Sequence, residues 1–145
     1  MQVFSMHYDY HQTAKELDYR RLGKQRVESW QILNTIQKKK NGLTKAAWIN
    51  HPCIKIWYDC ELALVNYSIA ICEEWIRRGY KDTMLDRFLK MKDVFEHQNY
   101  TKDLPALYGV EKFHLSHQSN LLKKDFDYYS KLYNVPNDIP YYWGD

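Results

Sequence analysis

The sequence predicts a mainly α protein: a single compact helical domain around a central apolar helix, with a short extended N-terminal arm and an aromatic C-terminal tail. Three observations predict it. Apolar residues follow helical spacing through residues 24–40. They cover most of the circumference of a second stretch, 52–78, as in a helix buried on all sides. No repeat, low-complexity tract or linker composition interrupts the 145 residues, 45% of which are apolar, so one domain spans residues 1–145.

In chain order, residues 1–6 alternate and read as a brief strand or an extended arm. Asp9 followed by Gln12 resembles a capping box for a helix from about Tyr10 to Leu17. Gly23 weakens the helical pattern after it, so residues 18–28 are expected to straddle a turn. Val27, Trp30, Leu33 and Ile36 then mark a helix that Asn41-Gly42 ends. Residues 43–51 connect it to a helix with Pro52 in its first turn, capped by Asn50 or His51 and running to Arg78 before Gly79. Asp82 is placed to cap a helix through about Gln98, and Pro105 and Gly109 mark an irregular connector. A last helix is expected from Ser116 to Tyr133, followed by a tail from 134 to 145 that contains Tyr141-Tyr142-Trp143.

Net charge is +3, mildly basic, which permits nucleic-acid binding without requiring it. The charge is concentrated: residues 20–40 carry Arg20, Arg21, Lys24, Arg26, Lys38, Lys39 and Lys40 against Glu28 alone. Cys53, Cys60 and Cys72 lack CxxC spacing and read as buried thiols. His7 and His11 stand four apart without a third ligand, so no metal and no cofactor is predicted. No apolar run approaches the roughly 18 residues that span a bilayer, and the N-terminus lacks a signal-peptide core; a cytoplasmic protein without a membrane partner is expected.

The segment richest in chemistry is 18–28, with four cations, two carboxylates and an amide in eleven residues. Arg21, Gln25 and Glu28 share a helix face, and Arg20 and Lys24 form a row beside it. Together with Arg26 they can hold phosphates and leave Glu28 as an acid or base; the alternative is a solvated charged face. In the segment from Ser116 to Lys124, His117, Gln118, Asn120 and Lys123 either meet a phosphate or base edge at a helix N-terminus or are solvated polar residues behind an ordinary N-cap. Tyr141 and Trp143 can stack on unpaired bases or close the core.

These segments together resemble the pyrimidine-dimer DNA glycosylase superfamily of the phage endonuclease V type. Trp57-Tyr58-Asp59 and Trp75-Ile76-Arg77-Arg78-Gly79-Tyr80 look like the ends of its central helix, and Leu17-Asp18-Tyr19-Arg20-Arg21-Leu22 like its catalytic segment. A bacterial and phage branch is closer still, through Arg-Arg-Leu-Gly-Lys-Gln-Arg-Val-Glu at 20–28, Asn-His-Pro at 50–52 and Ser-His-Gln-Ser-Asn-Leu-Leu at 116–122. The resemblance implies an all-helical fold, damaged or modified DNA as partner, His51 near the ligand, and removal of a base by attack of an N-terminal α-amine on the sugar C1′. It implies that a nearby glutamate assists and that strand cleavage by β-elimination can follow.

Two departures stand out. Gln2 is too bulky for the usual removal of the initiator, so Met1 is expected to supply the amine. The family's glutamate aligns on Arg21, which leaves Glu28, or else Asp18, to act as the acid. The competing expectations are a binding protein that captures a nucleotide or nucleic acid without breaking a bond, and an enzyme acting on a free nucleoside or nucleotide.

Overall fold

The computed structural model describes residues 1–98 and 103–144. Asp145, the last residue of the expected tail, lies outside them. Among the described residues the secondary structure is helical throughout: α1 (Tyr10–Glu16), α2 (Tyr19–Lys40), α3 (Pro52–Trp57), α4 (Glu61–Arg77), α5 (Leu85–Glu96), α6 (Glu111–Lys124) and α7 (Phe126–Tyr129).

α1 begins where the Asp9 carboxylate accepts the His11 amide at 2.9 Å. Gln12 does not complete the capping box; its amide turns forward to Glu16. α2 runs unbroken through Gly23, contrary to the expected turn. The reason is tertiary: a Cβ at Gly23 would stand 3.0 Å from Cη2 and Cζ3 of Trp75, so the glycine admits that indole against the helix. Trp75 cannot easily yield, because its N–H donates to Lys81 O at 2.8 Å and Arg26 lies 4.5 Å above its ring. Gly23→Ala therefore lowers stability by about 1 kcal/mol in urea unfolding, the steric cost outweighing the gain in helix propensity.

The expected helix over 52–78 is two helices. The chain breaks at residues 58–60, with Asp59 in the left-handed region at φ 66°. The Lys40 ammonium at the end of α2 reaches Asp59 at 2.7 Å and the buried Glu61 at 2.6 Å, a tie across the break that local sequence does not announce. His51 caps α3 through its ring, Nδ1 accepting the Cys53 amide at 3.0 Å. α4 is the central helix. It packs against α1, α2 and α5 and buries Leu64, Val65, Tyr67, Ile71 and Cys72. The three cysteines are all buried thiols.

The Asp82 carboxylate accepts Met84 N and Leu85 N and so starts α5. α6 begins at Glu111, five residues before the expected Ser116, after Gly109 at φ 92°. Val110 at its N-cap offers no side-chain acceptor, which is why the start is silent in the sequence. The helix ends at Lys124, and Asp125 caps the short α7 by accepting Tyr128 N at 3.2 Å. The tail returns along α6, tied by Asn120 Nδ2 to Ile139 O at 3.0 Å and by Tyr142 N to Ser116 Oγ at 3.2 Å. No helix among the described residues is long and apolar enough to cross a membrane.

Candidate active site around the N-terminal amine

Residues 2–6 form an extended arm, buried along its length but paired with no strand among the described residues. Its backbone polar groups still need partners, and side chains from three helices supply most of them. Gln25 Oε1 accepts Phe4 N at 3.1 Å, and Gln25 Nε2 donates to Gln2 O at 2.8 Å. That pattern dictates which way the amide faces, since the flipped amide would set donor against donor. Tyr67 OH lies 2.7 Å from Gln25 Oε1 and 2.9 Å from Phe4 O. On α6, His117 Nδ1 accepts Ser5 N at 3.1 Å, and Gln118 Nε2 donates to Met6 O at 3.0 Å.

The end of the arm meets Glu28: Gln2 N donates to its Oε2 at 3.1 Å. The Met1 α-amine is one residue back, and so lies within roughly 7 Å of that carboxylate. On the same side lies His51, whose pKa is held below its usual value by burial and by the positive charge of the N-terminus. Its ring stands edge-on to Trp143, with centroids 5.9 Å apart. Amine, carboxylate and imidazole are thus brought together from the arm, α2 and the start of α3.

Beside them is a cleft of about 870 Å³ lined by residues 18–21 and Lys24, and by Lys124, Asp125 and Tyr128 from the other wall. A groove of about 560 Å³ shares Tyr19, Arg20 and Lys24 with it and continues to Glu28 and Trp75. Arg20 and Lys24 are exposed there. Arg21 donates to Asp18 at 3.2 Å. Burial would raise the Asp18 pKa, but hydrogen bonds from Tyr129 and Arg21 outweigh it and hold the carboxyl below its usual range. Asp18 is therefore a buried counter-ion and helix cap, poorly placed to exchange protons. Arg26 faces away from the cleft, paired with Asp82 at 2.6 Å and stacked on Trp75.

A family model described as pyrimidine dimer DNA glycosylase matches residues 1–88, which include the arm, Glu28, the cations of α2 and His51. The chain belongs to the pyrimidine dimer DNA glycosylase family. No curated protein and no solved structure matches it. The family is one of DNA glycosylases, so its substrate class is DNA.

In this family member the polar residues expected to contact ligand divide into two sets. Gln25, His117 and Gln118 are fastenings for the arm, and Asn120 fastens the tail. The expected anion site at Ser116 is not formed, because residues 116–120 lie inside α6 with their amides already used. His117 is 1% exposed, and burial, with His114 and Lys124 nearby, pulls its pKa to about 3, so it is neutral at physiological pH. Tyr141 packs on it with centroids 5.1 Å apart, and burial pushes its phenol up to about 12. Of the two adjacent lysines, Lys123 is exposed outside the cleft lining, whereas Lys124 lines it, with Nζ 3.4 Å from Tyr141 OH. Burial, reinforced by Arg21, lowers the Lys124 pKa. The sequence held a signal for it: 117, 120 and 124 share one helical face, whereas 123 does not. Among the described residues no group of three metal-ligating side chains forms.

Proposed function

We propose that the protein is a DNA glycosylase that removes a damaged or modified base with the Met1 α-amine as nucleophile and Glu28 as acid and base. The observation that carries this reading is the Glu28 carboxylate at 3.1 Å from the Gln2 amide, one residue from the amine. Family membership over residues 1–88 supports the substrate class.

In the proposed reaction the amine lone pair attacks C1′ of an extruded nucleotide. The C1′–base bond breaks, and the base leaves with the bonding electrons and takes up a proton. The attached amine passes one proton to Glu28, which delivers it to the sugar ring oxygen as the ring opens, leaving a protonated imine at C1′. Removal of a C2′ proton expels the 3′ phosphate and cuts the strand. Arg20, Arg21, Lys24 and Lys124 supply positive charge for the flanking phosphates.

A binding protein without chemistry is the second reading, favoured by Arg21 at the family's glutamate position and its engagement with Asp18. Borohydride trapping separates the two. With DNA carrying an abasic site, a pyrimidine dimer or modified bases, the proposed enzyme yields a covalent adduct that mass spectrometry maps to the Met1 amine. A folded protein that forms no adduct and releases no base from any of these DNAs is a binding protein.

A further inference from the structure

We infer that Trp48 is the wedge that enters the duplex when the target nucleotide is extruded, a role that rests on the glycosylase reading and extends it to the opening of DNA. Of the five tryptophans it is the exposed one, at 57%. It stands in a connector in which residues 41–48, apart from Ala46, are exposed. Its backbone lies at φ 66°, a region that bulky L residues avoid. The conformation is kept by a turn on each side, with Ile49 N bonded to Ala46 O at 3.3 Å and His51 N to Trp48 O at 2.9 Å. An unconstrained surface tryptophan would relax out of that conformation; here the turns hold the indole on the outside.

The position relative to the amine gives the ring its use. Trp48 stands edge-on to His51, with centroids 5.9 Å apart, and His51 is the imidazole that borders the N-terminal charge. The wedge is therefore one aromatic ring removed from the reacting centre. Exposed Lys45 in the same connector and Lys55 on α3 put cations on both sides of it in the sequence. Extruding a nucleotide leaves a gap between stacked bases, and a flat apolar ring fills that gap without needing hydrogen bonds. The phosphate-facing cations come from α2 and α6, whereas the wedge comes from the connector before α3. Opening and chemistry are thus separable by mutation.

The test compares wild type, Trp48→Ala and Trp48→Phe as full chains on an abasic site in single-stranded DNA and in a matched duplex. Borohydride trapping on the duplex falls at least tenfold in Trp48→Ala and recovers largely in Trp48→Phe, while trapping on the single strand changes less than twofold. Equal losses on both DNAs, or no loss on the duplex, overturn the wedge. A second measurement needs no chemistry: 2-aminopurine as the target base of a mismatched pair brightens when extruded. Wild type and Trp48→Phe brighten it and Trp48→Ala does not; equal brightening by all three, or none by wild type, overturns the wedge. Brightening that depends on Trp48, with no adduct on either DNA, sinks the amine chemistry alone.

Discussion

Glu28→Gln lowers base release and strand cleavage about a thousandfold, the scale of losing one positioned acid or base. The substitution is informative because the amide retains an oxygen that can accept the Gln2 N–H, now 3.1 Å from the carboxylate. The arm therefore stays seated, stability changes little, and binding of abasic DNA stays within a few fold. Only proton exchange at the sugar is removed. Cleavage at the wild-type rate in the Gln variant would assign the acid elsewhere. Asp18 is a poor second candidate, since Tyr129 and Arg21 both spend their hydrogen bonds on its ionised form.

Gln25→Ala has the largest effect on the fold. Gln25 is fully buried and joins Phe4 N, Gln2 O and Tyr67 OH. Truncation strands a buried backbone donor and acceptor and opens a cavity. The expected loss is about 3 kcal/mol, or roughly 10 °C in Tm. Activity falls with it, because the freed arm carries the amine away from Glu28. Gln25→Glu does not rescue it: its ionised carboxylate would be buried without a cation and would set an oxygen against Gln2 O. Thermal unfolding and abasic-site cleavage, measured side by side, check both claims. Full stability in Gln25→Ala would mean that other contacts seat the arm.

Much of the fold was legible because its signals are local. Asp9, Pro52, Gly79 and Asp82 mark helix ends through bonds that reach no more than a few residues. Two of the misreadings share one cause, a contact from far along the chain. Gly23 reads as a breaker until Trp75 is seen against it, and residues 58–60 read as helix until Lys40 is seen bridging Asp59 and Glu61. α6 starts early because its N-cap is a valine, with no polar mark to read. In the site, the family resemblance and the helical face shared with Arg21 pointed to Glu28, which accepts the Gln2 amide. The sorting of the remaining polar residues had no such pointer.

By itself the sequence determined the helical class, about half of the helix ends, the concentration of cations on α2, and membership of a DNA glycosylase family through its first 88 residues. The tertiary structure decided which polar side chains are open to a ligand. Gln25 and Lys24 are neighbours on one helix, and His117 and Lys124 share another, and all four are polar enough to meet a ligand. Two of the four are consumed by the backbone of residues 2–6, in one case from 112 positions away. A buried arm without a strand partner must take its hydrogen bonds from side chains, and only the packed chain shows which ones it took.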